Sequence, residues 1–258
     1  MSAPCSLGGR GVLVTRPAAQ AENLCRLVDA AGGRPIAFPT VEILPACDLD
    51  SARARLAESW DIILFVSRNA VEQGCALRPP GGFGAALVGA VGRATAAALH
   101  AAGIPPQLVP AAGFDSESLL ALPELTGVAG KRVLIVRGEG GRALLGETLA
   151  VRGAEVHFAE VYRRSIPAVE IGPQLSLWRA EVGFVTATSD EVLNNLMQIV
   201  GDAGRDWLLE TPLVVISERG AAGAMQLGFR TVAVAEEASD AGIVDALCRL
   251  AWSRPAAG

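Results

Sequence analysis

Gly11-Val-Leu-Val-Thr-Arg-Pro17, running on to Ala30-Ala-Gly-Gly-Arg-Pro-Ile-Ala-Phe38, reads as strand, turn, helix and second strand in one pass. The passage returns in mid-chain as Arg132-Val-Leu-Ile-Val-Arg-Gly138, closing at Val151-Arg-Gly-Ala-Glu-Val-His-Phe-Ala159. Further out, Trp60-Asp-Ile-Ile-Leu-Phe-Val-Ser67 returns as Gly183-Phe-Val-Thr-Ala-Thr-Ser189. Leu87-Val-Gly-Ala-Val-Gly92 returns as Leu213-Val-Val-Ile-Ser217. The spacing drifts slowly: 121 residues separate Gly32 from Gly153, 122 separate Ser67 from Ser189, and 125 separate Gly103 from Gly228. A repeated α/β unit predicts two lobes, and a cleft between lobes is where small ligands usually bind.

Short apolar runs predict strands at 11–15, 34–38, 61–66, 86–91, 106–109, 132–136, 154–159, 182–187, 212–216 and 230–234. Most are near-continuous Val, Ile and Leu, as in a parallel sheet covered on both faces. Helical stretches alternate with them at 19–31, 69–77, 93–102, 116–121, 141–152, 190–199, 219–227 and 240–251. Gly32, Gly103, Gly153 and Gly228 stand where helices end and are expected as C-terminal caps. The alternation predicts an α/β fold, two doubly wound parallel sheets, each lobe flavodoxin-like. Phe38-Pro-Thr-Val-Glu-Ile-Leu-Pro45 and Glu160-Val-Tyr-Arg-Arg-Ser-Ile-Pro167 break the rhythm as extended, proline-bounded segments at equivalent places in the repeat. Either the lobes are contiguous halves with a linker near Gly127–Gly130, or the chain crosses at 39–45 and recrosses near 162–167. Periodicity alone slightly favours the first.

The 258 residues suit two domains, and 51% hydrophobic against 19% charged residues describes a chain able to bury a core. A net charge of −5 without a Lys/Arg-rich run argues against nucleic acid as a partner. The first ten residues lack the apolar stretch of a signal peptide and no window is long enough to span a membrane, so a cytoplasmic protein is expected. The five cysteines, Cys5, Cys25, Cys47, Cys75 and Cys248, are scattered without a C-x-x-C and are expected as free thiols.

Ligands of open α/β sheets bind beyond the carboxyl ends of the strands. The residues there are Thr15 and Arg16, Ser67 and Arg68, Gly92 and Thr95, Arg137 and Gly138, Thr188 and Ser189, and Ser217 and Arg219. Nearly every turn offers a hydroxyl, an arginine or both, and opens a helix whose free N–H groups attract anions. Ser and Thr are also ordinary N-caps, so the signal is the recurrence of arginine beside the cap. Repeated, the pattern suits a polyanion. His100 and His157 have no nucleophile pattern around them, and no metal-ligand spacing, P-loop or Gly-x-Ser-x-Gly elbow is present. Tyr162, the single tyrosine, stands in the second extended segment as either a packing residue or a proton donor. Val136-Arg-Gly138-Glu-Gly140-Gly-Arg-Ala143 matches a dinucleotide fingerprint, with Glu160 at the end of the next strand. Its sister turn at Thr15-Arg16-Pro17 has no glycines, so the shared element is the fold and not a cofactor loop.

Taken together, Val14-Thr-Arg-Pro17, Phe38-Pro39, Phe65-Val-Ser-Arg-Asn-Ala-Val71, Val91-Gly-Arg-Ala-Thr95, Ser116-Glu-Ser-Leu-Leu120, Val136-Arg-Gly138, Val161-Tyr-Arg163, Ser217-Glu-Arg219 and Leu227-Gly-Phe229 resemble the uroporphyrinogen-III synthase family from Val12 to Leu247. The resemblance implies two flavodoxin-like domains joined by a two-stranded connector. One combines 1–38 with 168–258, the other is 45–161, and the linkers are 39–44 and 162–167. It also implies the substrate hydroxymethylbilane, a linear tetrapyrrole with eight carboxylates. The family's reaction dehydrates this substrate, inverts ring D through a spiro intermediate and closes the ring to uroporphyrinogen III for haem biosynthesis, with no metal or cofactor. It implies Tyr162 as proton donor to the departing hydroxyl. Thr15, Arg16, Ser67, Arg68, Gly92, Thr95, Arg137, Gly138, Thr188, Ser189, Ser217 and Arg219 are the substrate-binding candidates. A monomer, functionally coupled to the upstream bilane synthase and without membrane or nucleic acid, is the expectation. The alternatives are a noncatalytic tetrapyrrole-binding module of the same fold and, with less support, a dinucleotide-dependent enzyme. Val66 stands where the family has threonine, and Thr186-Ala187 is an atypical lead into the Thr188-Ser189 turn.

Overall fold

The computed structural model describes residues 6–78, 82–113 and 115–253. Among the described residues ten strands form two five-stranded sheets. In chain order they are β1 (Gly11–Val14), β2 (Arg34–Ala37), β3 (Glu42–Pro45), β4 (Ile62–Phe65), β5 (Leu87–Ala90), β6 (Arg132–Gly138), β7 (Glu155–Ser165), β8 (Val182–Ala187), β9 (Leu213–Val215) and β10 (Val232–Val234). The helices are α1 (Ala18–Ala30), α2 (Leu49–Ala57), α3 (Arg68–Leu77), α4 (Arg93–Ala101), α5 (Ser116–Leu120), α6 (Pro123–Thr126), α7 (Leu144–Val151), α8 (Gly172–Glu181), α9 (Asp190–Glu210), α10 (Glu218–Leu227) and α11 (Asp240–Ser253).

Two compact units divide the chain. Unit 1 is Met1–Glu42 with Ile166–Gly258, and unit 2 is Ile43–Ser165. The sheet of unit 1 runs β10-β9-β8-β1-β2, every neighbour parallel. The other sheet runs β3-β7-β6-β4-β5, with β7, β6, β4 and β5 mutually parallel. The most apolar runs take the central places. Gly-Val-Leu-Val of β1 and Ile-Ile-Leu-Phe of β4 are buried along their whole length, whereas of the four edge strands β2, β3 and β10 are only half-buried or exposed and β5 is mostly buried.

In unit 2 the two-residue period of a strand sorts the core by face. Ile63, Phe65, Leu134 and Val136 pack with Val71 of α3, Leu99 of α4 and Tyr162 on one side. Ile62, Leu64, Val133 and Ile135 pack on the other with Leu119, Leu125, Leu145 and Leu149 from α5, α6 and α7. In unit 1, Val12, Val14 and Phe184 pack against Leu24 and Val28 of α1 and Ile243 and Leu247 of α11. Helices α8 and α9 bury Leu175, Trp178, Leu193 and Leu196.

All four glycines expected to close helices have positive φ, from 70° at Gly32 to 103° at Gly228, a conformation that favours glycine. Two expectations, a strand at 106–109 and a free Cys248, are corrected. The stretch 106–109 forms only one bridge, Leu108 to Gly89, because Pro105 and Pro110 bound it and withhold ladder donors. Residues 162–165 are the last residues of β7. Cys248 is disulfide-bonded, against the expectation of free thiols, while Cys25, Cys47 and Cys75 are free. Cys5 lies outside the described residues. Among the described residues no helix is long and apolar enough to cross a membrane.

Candidate active site

On unit 2 the carboxyl ends of β4, β6 and β7 bring Ser67, Gly138 and Tyr162 together. Strands β6 and β7 stay in step from Arg132 opposite Glu155 to Arg137 opposite Glu160, then the register shifts so that Gly138 faces Tyr162. The extra residue, Val161, makes this a bulge, and bulges re-aim side chains. The Tyr162 ring lies directly against Gly138: a Cβ there would be 2.7 Å from two ring atoms. Glu139 N–H donates to the Tyr162 carbonyl at 2.8 Å. The ring is 4% exposed, and its hydroxyl shares a hydrogen bond of 3.1 Å with Ser67 Oγ. Ser67 is the N-cap of α3, and its Oγ accepts the Ala70 N–H at 3.1 Å. Gly92 is the N-cap of α4 and makes no side-chain cap hydrogen bond there.

On unit 1 the N-termini of α9 and α10 line a cavity of about 280 Å³ with Thr188, Ser189, Ser217, Arg219 and Ala238. Ser189 and Ser217 are the N-caps, accepting the N–H of Val192 at 3.2 Å and of Gly220 at 3.1 Å. A capping hydroxyl keeps its own proton, so both serines retain a donor for an anion. Arg219 is 82% exposed on its side chain and 3.6 Å from Asp190.

Several of the other expected ligands are committed elsewhere. Thr15 is fully buried and donates its hydroxyl to the Thr186 carbonyl, tying β1 to β8. Arg16 is paired with Asp240, both largely covered, which joins the start of α1 to the start of α11. Arg68 pairs with Glu72 one turn along α3 at 2.7 Å. Arg137 pairs with Glu160 at 2.9 Å, donates to the Gly141 carbonyl at 3.1 Å and stacks over Phe158 with its guanidinium carbon 4.0 Å from the ring centre. Thr95 is buried on the inner side of α4. The common cause is that an arginine next to an acidic neighbour forms an internal pair before it meets a substrate. The glycine run after β6 does not open a helix either. Helix α7 starts at Leu144 with Ala143 before it and no side-chain cap, and Glu160 is held by Arg137. No dinucleotide loop is formed there.

Thr40 was not singled out by sequence. It is fully buried beyond β2, its hydroxyl donates to the Val192 carbonyl at 3.0 Å, and its own carbonyl accepts from Asn195 Nδ2 at 2.9 Å. A threonine between two prolines of an extended segment was the available signal.

A family model described as uroporphyrinogen-III synthase matches residues 22–245, which takes in Ser67, Gly138, Tyr162, Ser189 and Ser217. This chain belongs to the uroporphyrinogen-III synthase family. The uroporphyrinogen-III synthase of Escherichia coli K12 is 38% identical over 249 residues, 92% of this chain and 99% of that protein. In fold the chain resembles a mutant uroporphyrinogen III synthase of the extreme thermophile Thermus thermophilus (TM-score 0.58, 21% identity, 95% and 99% of the two chains). It also resembles the uroporphyrinogen-III synthetase of Helicobacter pylori 26695 (TM-score 0.58, 16% identity, 95% and 99%).

Proposed function

We infer that this member of the uroporphyrinogen-III synthase family is a cyclising hydro-lyase that converts hydroxymethylbilane to uroporphyrinogen III with inversion of ring D. The observation that carries the chemistry is Tyr162, buried against Gly138 with its hydroxyl on Ser67. A phenol held in this way is suited to protonate the departing hydroxyl. The carbon–oxygen bond breaks, water leaves, and the electron-rich pyrrole keeps the positive charge. The donated proton is recovered when the closing ring sheds a C–H proton and becomes aromatic again, so only water is lost overall.

The remaining task is to fold a flexible polyanion so that ring D attacks from the required carbon, which is catalysis by orientation. The turn at Gly92 on unit 2, and Thr188, Ser189, Ser217 and Arg219 on unit 1, are the carboxylate ligands on this reading. Charge-assisted hydrogen bonds contribute about 1.5–3 kcal/mol each, so several moderate contacts suffice. Each unit is taken as flavodoxin-like. In support, the strands of unit 1, taken in chain order, lie 2-1-3-4-5 across the sheet. A cytoplasmic monomer without cofactor, receiving its labile substrate from the bilane synthase before it, fits this chemistry.

The test supplies hydroxymethylbilane from its upstream synthase, oxidises the products and separates the isomers. Predominant isomer III is expected. Isomer I alone from folded protein, the product of unaided closure, would remove the activity and leave a binding module.

A further inference from the structure

The geometry points to a different role for Ser67: it is the positioning residue of Tyr162, and not a ligand of a substrate carboxylate. This rests on the reading of Tyr162 as the proton donor. Three contacts hold the tyrosine. The bulge sets it opposite Gly138, whose missing side chain leaves the space that the ring occupies. Glu139 N–H holds its carbonyl at 2.8 Å. Ser67 holds its hydroxyl at 3.1 Å. Ser67 is itself fixed, because its Oγ caps α3 through Ala70 N–H.

The geometry allows either hydroxyl to donate, and the acid role of Tyr162 sets the direction from Ser67 to the tyrosine oxygen. A serine hydroxyl has one proton to donate and two lone pairs, and one lone pair is taken by Ala70. Donating that proton to the Tyr162 oxygen leaves the phenolic proton free for the departing hydroxyl. As the phenolic proton moves to the leaving group, negative charge grows on the oxygen that Ser67 already faces. Charge-assisted hydrogen bonds are stronger than neutral ones, so this contact tightens along the reaction, which is the kind that raises kcat. A serine committed in this way has no second proton for a carboxylate. Ser189 and Ser217 differ, because they cap helices that line a cavity of unit 1.

A double-mutant cycle in the intact protein decides between the two roles. Ser67→Ala, Tyr162→Phe and the double variant are assayed for kcat and KM of isomer III formation. Ser67→Ala is expected to lower kcat about fivefold, the loss of one hydrogen bond, with KM unchanged. In the Tyr162→Phe background the same substitution should change nothing, and Ser67→Thr should restore the rate. Equal losses in both backgrounds, or a raised KM at constant kcat, would show that Ser67 meets substrate directly and would overturn the proposal. If Ser67→Ala does not fold, Gly138→Ala takes its place. Its added methyl displaces the ring, and the fall in kcat should again disappear in the phenylalanine background; a fall that persists there overturns the proposal. Full kcat in Tyr162→Phe would remove the acid role and this inference together, while isomer III from the wild-type protein would leave the family activity intact.

Discussion

The thiolate is the reactive form of cysteine, so burial that disfavours charge slows its chemistry. Burial raises the pKa of Cys25, partly offset by Arg16, and that of Cys75, partly offset by Arg78. Cys75 lines a groove between α3 and α4 with Arg68, Val71, Ala94 and Ala98. Cys47 is exposed after β3, where Glu139 accepts its backbone N–H at 2.6 Å. An aromatic disulfide reagent at pH 8 should therefore label Cys47 first, with Cys25 and Cys75 on the order of tenfold slower. Raising the pH should help these two most, since it restores the thiolate that burial suppresses. Peptide mapping that finds Cys75 labelled first would contradict this. At the same scale the site was only half legible. Ser67, Ser189 and Ser217 are capping residues, as sequence implies, because a hydroxyl before a helix has one common use. The ion pairs of Arg16, Arg68 and Arg137 were not legible, because their partners Asp240, Glu72 and Glu160 include distant residues that only the fold brings near. Gly138 was expected as a binding residue, but its space for a ring from another strand is visible only in the fold.

Among the elements, the start of α9 is held from two sides. Ser189 caps it from within, and Thr40, arriving from β2, fastens it through the Val192 carbonyl and Asn195. Phe38, two residues earlier, meets the buried Trp178 of α8 edge-on, with ring centres 4.6 Å apart. Asn195→Ala removes the donor to a buried carbonyl and should destabilise unit 1 by about 1–2 kcal/mol. Thr40→Val, which keeps the shape and loses the hydroxyl, should cost a similar amount, and the pair should be non-additive because both act on one network. Urea unfolding with an unchanged m-value checks this; additive losses would mean separate contacts. Elements with a strong apolar run were the legible ones. Helices α2 and α8 were missed because Leu49-Asp-Ser-Ala-Arg-Ala-Arg-Leu-Ala57 and Gly172-Pro-Gln-Leu-Ser-Leu-Trp-Arg-Ala-Glu181 bury only two residues each, too few to show a periodic stripe. Helix α9 was read only to 199, because Gly201, with φ of 53°, breaks its pattern before a second helical part.

At the scale of the molecule, each unit carries its own core, which predicts separable stability. Unit 2 is one continuous segment, Ile43–Ser165, with its sheet covered on both faces by the clusters around Phe65 and around Leu64. Its first and last residues belong to neighbouring strands, β3 and β7, so cutting the chain at both places removes no element from the sheet. A segment of this size buries roughly two thirds of the surface its unfolded chain exposes, enough for independent folding. Residues 43–165 expressed alone should therefore unfold cooperatively on heating, with the fluorescence of the buried Trp60 changing in the same transition as the backbone signal. Phe65→Ala opens a cavity in one of its two clusters and should cost about 3–5 kcal/mol, enough to abolish folding of the fragment. The same substitution in the full chain should shift only the transition that belongs to unit 2. A fragment without a cooperative transition would mean that unit 2 depends on unit 1 for its stability. On the proposed reading the fragment should form no isomer III, because the candidate carboxylate ligands Ser189, Ser217 and Arg219 belong to the other unit.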